Sequence, residues 1–261
     1  MSTEAEFVLY EVKDRIAYIT LNRPEKLNAM NTVMQGQLEA ALKRFDLDDD
    51  AWIAILTGKG RAFCAGADVK DRLIGGDPAV RDARMTIGPP PEGWFGAVVN
   101  WKPVITAIQG YCVGLGVILA LEGDLVVASQ TAKFTISETI RGVAAGPLWA
   151  RLQVFMPSKV ATEMLLTGLP TPASILYERG LVNRVTTDDG LIDEAEKLAR
   201  QILDAAPLAV RGNVRLTRMP AVDLAREAVV LTSALKLHRT HDFREASAAF
   251  AEKRKPSFEA R

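Results

Sequence analysis

Apolar and polar positions alternate over Phe7 to Val12 and again over Ile16 to Leu21, the period of half-buried strands. Asn22 to Lys26 (NRPEK) reads as a turn. Met34, Leu38, Ala41, Leu42 and Phe45 then recur at helical spacing, and the acidic run Asp46 to Asp50 closes that helix. Trp52 to Leu56 reads as a short buried strand and Lys59 to Ala67 as a loop. Gly75 to Gly93 mixes glycine, proline and charge, with GPPPEG at its end, and is expected to be a mobile surface segment. Val104 to Ile108 is a strand, a helix opens at Gly114, and Leu125 to Ala128 is a further strand. Thr171-Pro172 and Arg179-Gly180 bracket a short helix, with proline at the first position and glycine past the end. Val182 to Val185 is the last strand, and Leu191 to about Lys253 reads as helix throughout. Strands alternating with helices, then helices only, predict an α/β core (1–190) with a helical C-terminal region (191–261).

Composition narrows the function. The 261 residues are 48% hydrophobic and 25% charged, enough apolar surface for a core without disulfides or metals. Lys plus Arg and Asp plus Glu are 32 each, so no net positive field exists to hold nucleic acid or an anionic membrane. Pro103 to Leu121 carries no charge and approaches membrane-span length, but Gln109, Gly110, Gly114 and Gly116 interrupt it. A buried strand, a turn and a buried helix fit better. MSTEAEFVLY has no apolar signal core, and the expected compartment is cytoplasmic. Two cysteines without CxxC spacing, Cys64 and Cys112, and two late histidines, His238 and His241, leave little for a zinc site or a histidine triad. No metal is expected.

Three segments could carry chemistry. In AFCAGADVK, Ala62 to Lys70, small residues let the backbone approach a ligand, and a helix starting at Asp68 would leave N–H groups free for an anion or oxyanion. A tight loop with a helix cap explains the segment equally well. In GYCVGLG, Gly110 to Gly116, the dinucleotide pattern fails: Leu119 stands where the third glycine belongs, and Ile136 where the ribose-binding acid would come. A backbone donor at a helix start remains open there. In TISETIRG, Thr135 to Gly142, Ser137 could cap the turn containing Glu138. Apolar neighbours could bury Glu138 and raise its proton affinity, although a glutamate at a helix start needs no such role.

Four blocks in order are similar to the enoyl-CoA hydratase/isomerase (crotonase) family: LNRPEKLNAM (Leu21 to Met30), AFCAGADVK, KPVITAIQGYCVGLG (Lys102 to Gly116) and LLTGLPTPASILYERGLVNRV (Leu165 to Val185). The tail FAEKRKPSF adds to the likeness. The resemblance covers essentially the whole chain. It implies a crotonase-like spiral of ββα turns, a helical C-terminal trimerisation region, assembly as a homotrimer or homohexamer, and an acyl-CoA substrate. CoA then arrives with the substrate, and no separate cofactor is implied.

Carried over by position, the family's two oxyanion donors fall on the backbone N–H groups of Ala67 and Leu115. Leu115 replaces the usual glycine but keeps its N–H. The CoA-contacting stretch falls on Ala67, Asp68, Val69 and Lys70, with Lys26 and Leu27 nearby. Phe250 and Lys253 match tail positions that touch CoA, commonly in a neighbouring subunit. Family hydratases carry two glutamates twenty residues apart; the second falls on Glu138, the first on Ile118. Glu122, one helical turn beyond Ile118, is expected to face elsewhere rather than reach the pocket. Hydration needs a water held by two carboxylates, whereas family isomerases work with one. The resemblance therefore favours double-bond isomerisation, with hydration or a related lyase step second and a non-catalytic CoA-ester or RNA binder third. Arg211, Arg215 and Arg218 share a helical face and are expected to be solvated or to pair across an interface. Val222, Leu224, Ala225, Ala228, Val229, Leu231 and Leu235 make an apolar helix suited to packing between subunits. Trp94, Phe95, Leu148 and Trp149 fit either core or acyl-pocket wall.

Overall fold

A computed structural model describes residues 5–68, 101–218 and 237–259 of the chain. Gly75 to Gly93, the apolar set from Val222 to Leu235, Trp94, Phe95, Val69 and Lys70 lie outside them.

Two sheets form the frame. The larger has the order β1 (Val8–Lys13), β2 (Ile16–Leu21), β3 (Ile53–Gly58), β5 (Val104–Ile108), β7 (Leu125–Ser129) and β10 (Arg184–Thr186). Only the β1–β2 pair in it is antiparallel. The smaller has the order β4 (Ala62–Cys64), β6 (Tyr111–Val113), β8 (Lys133–Thr135) and β9 (Thr171–Pro172). Each circuit of the chain lays one strand in each sheet: β3 then β4, β5 then β6, β7 then β8. This is the spiral ββα arrangement of the crotonase fold. The segment expected to be loop from Lys59 to Ala67 therefore contains a strand. All three residues of β4 are buried, and so short a run has no readable period.

The large sheet is covered on both sides, as parallel sheets are. Ile16, Ile53, Ile55, Ile105, Ala107 and Val127 face helix α6 (Leu191–Leu203), which supplies Leu191, Ala195 and Ala199. The alternate residues, Ala17, Ile19, Leu21, Ala54, Leu56, Val104, Ile108, Val126 and Ala128, face the main core. Helix α1 (Thr32–Leu47) buries there the five residues that set its period. Lys102 holds its carboxyl end: Nζ donates to the carbonyls of Phe45 (2.8 Å) and Asp48 (2.6 Å), beside the backbone N–H groups of Asp48 and Ala51.

Helix α2 (Leu115–Glu122) is buried on almost all sides. Helix α3 (Gly146–Phe155) and α4 (Ser158–Thr167) follow, and Leu148 packs into the main core. The short helix α5 (Ala173–Glu178) starts one place later than expected. Pro172 is its N-cap residue rather than its first residue, because Thr171 and Pro172 pair with β8. Gly180, with φ of +85°, does stand past its end.

The C-terminal region is interrupted helix. After α6, residues 207–218 form α7, and α8 (His241–Glu252) follows a short turn at Leu237–Arg239. Helix α6 packs on the large sheet rather than standing apart from it. The arginine stripe is partly used within the chain. Arg218 donates to Asp124 (2.6 and 2.8 Å) and Lys102 O, and Arg215 lies over the Trp101 ring. No helix among the described residues is long and apolar enough to cross a membrane.

Candidate active site

The loop after β4 is laced to the segment after the first turn. Ala65 N–H donates to Leu27 O (2.9 Å), Met30 N–H to Gly66 O (2.7 Å) and Asp68 N–H to Met30 O (2.9 Å). Met30 thus bonds to both neighbours of Ala67, so Ala67's own N–H and C=O point the other way. Asn28 is the anchor beneath. It is fully buried with φ of +54°, a conformation asparagine tolerates better than most residues. Its side chain accepts from Arg23 N–H and donates to Lys59 O and Ala62 O. Arg23 bonds Ala29 O and pairs with Asp68 at 2.7 Å. Neither Asn28 nor Arg23 had been singled out in the sequence. The signal was there: an arginine and an asparagine framing a proline turn inside the motif LNRPEKLNAM.

Helix α2 begins against this loop. A methyl group on Gly66 would lie 3.0 Å from Val113 O and 3.9 Å from Leu115 N, so the two glycine-rich segments touch. Leu115 is the first helical residue, whose N–H has no intrahelical acceptor. Among the described residues neither Ala67 N–H nor Leu115 N–H has an acceptor. Gly116 is needed for the docking: a Cβ there would sit 2.5 Å from Cys64 O. The glycines of GLG therefore serve chain packing, which explains why the dinucleotide pattern is incomplete. Cys64 and Cys112 face each other across β4 and β6, both fully buried and free. Burial pushes the Cys64 thiol up to about 12 and Cys112 well above its usual value, so both behave as small apolar groups.

Glu138 meets the same spot from a third circuit of the spiral. A Cβ on Gly114 would lie 2.7 Å from Glu138 Oε1, and Gly114 has φ of +51°, so only glycine lets the carboxylate come this close. Oε2 is buried, with no hydrogen-bond partner among the described residues. Burial raises the proton affinity of Glu138; its own backbone N–H and the Arg141 charge oppose that. Ser137 does not cap the turn: Glu138 is itself the N-cap residue of Thr139–Arg141, and no side chain caps it. Ile118 is 7% exposed within the core. Glu122 pairs with Arg151 of α3 at 3.5 Å, both nearly buried, at the far end of α2. Eight helical residues span about 12 Å, which puts Glu122 out of reach of the Glu138 site.

The other sequence-named residues divide. Leu27 and Ala67 are half-buried at the lacing, Lys26 is exposed beside them, and Asp68 is tied to Arg23. Phe250 is 56% exposed on α8, under the Arg141 guanidinium of the same chain at 4.4 Å from the ring centroid. Lys253 is the exposed residue ending α8. A separate groove of about 510 Å³, lined by residues such as Arg61, Gln109, Tyr111 and Asp188, contains none of Ala67, Leu115 and Glu138.

Two backbone donors and a buried carboxylate beside one of them thus meet where the two sheets interlock. The family model described as enoyl-CoA hydratase/isomerase matches residues 11–261, and the chain belongs to that family of enzymes. It is 36% identical to a probable enoyl-CoA hydratase of Rhizobium meliloti (strain 1021), over 98% of this chain and 99% of that one. It is 33% identical to the 1,2-epoxyphenylacetyl-CoA isomerase of Escherichia coli (strain K12), over 97% and 98%. The crystal structure of carnitinyl-CoA hydratase from Mycobacterium avium superposes with a TM-score of 0.85 at 32% identity, covering 99% of this chain and all of that one.

Proposed function

We propose that the protein moves the double bond of an enoyl-CoA thioester through an enolate, with Glu138 as the sole proton carrier. The carrying observation is Ile118, an apolar, buried residue where the family's first glutamate would stand. The thioester oxygen accepts from Ala67 and Leu115 N–H. Glu138 takes a proton from C2 of a 3-enoyl ester, and the electron pair spreads onto the thioester oxygen. The same carboxyl returns the proton at C4, leaving the double bond between C2 and C3. One oxyanion donor contributes about 3 kcal/mol and a positioned base about 10²–10⁴ in rate. CoA enters as part of the substrate, handled by Lys26, Leu27, the 67–70 stretch, Phe250 and Lys253, and no resident cofactor is required.

Hydration or a related lyase step is the second reading, favoured by the relatives' names, most of which are hydratases. Product analysis with a panel of 2-enoyl and 3-enoyl CoA esters separates them. A migrated double bond is expected. A 3-hydroxyacyl product would replace isomerisation by hydration, and tight binding without turnover would leave a binding protein. We also infer a cytoplasmic trimer or hexamer of use in fatty-acid chemistry, with the 191–261 region between subunits. Leu208 and Leu216 on α7, 77% and 68% exposed, support that packing, and a stable monomer in light scattering would exclude it.

A further inference from the structure

Directly after Glu138 the chain makes one turn of 3-10 helix, Thr139–Arg141. Residues three apart in such a turn lie one above the other, so Arg141 shares the face of Glu138. Its N–H donates to Glu138 O at 3.0 Å, and Val143 N–H to the same oxygen at 2.9 Å. The turn is held from two sides. Thr139 Oγ1 donates to Leu165 O of α4, and Gly142, with φ of +71°, lets the Phe243 backbone of α8 approach to 3.0 Å of where a Cβ would be. The Arg141 guanidinium has no hydrogen-bond acceptor among the described residues, and lies over the Phe250 ring of α8. A half-buried arginine with an aromatic ring on one side and a catalytic turn on the other needs a reason.

We propose that Arg141, held by Phe250, is a positioning residue for Glu138: it supplies the counter-charge that keeps a buried carboxylate available as a base, so that the C-terminal helix conditions proton transfer. The inference rests on the reading of Glu138 as proton carrier. Other charges on the surrounding elements are engaged or act elsewhere. Glu122 of α2 is paired with Arg151, Glu245 of α8 with Arg254, and Asp242 of α8 accepts from Glu259 N–H. Arg141, three residues on in the same 3-10 turn, is the cation that lies on the Glu138 face.

The test is a titration of the Glu138 carboxyl by carbon-13 NMR of glutamate-labelled protein, the signal identified by its loss in Glu138→Gln. In Arg141→Met the midpoint should move to higher pH, so that at a fixed pH on the acid side the ionised-to-neutral ratio falls by about tenfold, the low end of what a nearby opposite charge does. Phe250→Leu should move it the same way by less, and Arg141→Lys should restore most of it. If Arg141→Met does not fold, Phe250→Leu decides. An unmoved midpoint overturns the proposal. The two readings fail separately. A moved midpoint with no turnover across the ester panel sinks the catalytic reading alone. Turnover abolished in Glu138→Gln with an unmoved midpoint in Arg141→Met sinks the coupling alone.

Discussion

Replacing Gly116 by alanine sets two physical effects against each other. Glycine inside a helix is about 1 kcal/mol worse than alanine, so propensity alone predicts a gain. Gly116, however, faces strand β4: the new Cβ would stand 2.5 Å from Cys64 O and 3.0 Å from Cys64 Cβ. Both neighbours are fixed, one of them backbone, so α2 must retreat by about 1 Å to reach ordinary contact. Overpacking of this kind costs about 1–3 kcal/mol, which outweighs the propensity gain. The retreat also carries Leu115 N–H away from the 65–67 loop. If that donor is lost to the oxyanion, turnover falls by about 10²–10³. Gly36 is the control. It lies on the exposed face of α1 with nothing within 4 Å of its Cβ position, so Gly36→Ala should stabilise by about 0.8–1 kcal/mol with unchanged turnover. Urea unfolding and turnover of the best ester from the panel read both. Equal stabilisation by the two alanines, with full activity in Gly116→Ala, would refute the close-packing argument.

Glu138→Gln should cut turnover by about 10² or more while leaving acyl-CoA binding nearly unchanged. Because burial raises the proton affinity of Glu138 in the folded state, the native protein holds more protons than the unfolded chain above about pH 4.5. Wild-type stability should therefore fall relative to Glu138→Gln as pH rises from there through the folded value, and a constant difference in unfolding free energy across pH would contradict it. Ile118→Glu should raise hydratase activity at a cost in stability, since an unpaired buried charge is expensive; no gain in hydroxyacyl product would count against the two-carboxylate argument. Arg151→Met removes one ion-pair partner of the nearly buried Glu122 and should cost up to about 3–5 kcal/mol in urea unfolding; an unchanged unfolding free energy would mean that the pair does not stabilise the fold. Asn28→Ala removes three hydrogen bonds beneath the Ala67 loop and should cost about 2–4 kcal/mol, with a larger fractional loss of turnover than of acyl-CoA affinity.

How far the sequence could be read depended on segment length and on where partners come from. Apart from β10, the strands of the large sheet run for five or six residues and helix α1 for sixteen, so Ile16, Leu38 and Ile105 declared their places. Strands β4, β6 and β8 have three residues each, fewer than any periodic pattern needs, yet they bring Ala67, Leu115 and Glu138 together. The two Gly-rich loops and Glu138 stood out as candidates from their residues, but equally ordinary readings competed, and the roles of Ala67 and Leu115 came from the resemblance of motif order to a family. Arg141 was missed for another reason: its partner, Phe250, lies more than a hundred residues away, and nothing local distinguishes it from a solvated arginine. Asn28 was missed because its bonds go to backbone groups, which leave no mark in a sequence.

The buried, unpartnered Oε2 of Glu138 bears on isotopes as well as on rate. A proton held there has no relay to bulk water among the described groups, so its return to carbon competes well against washout. Substrate deuterated at C2 would then deliver its own label to C4 of the same molecule, and solvent deuterium would enter slowly. The carboxyl would act as a short-lived store with a memory of which molecule it last served.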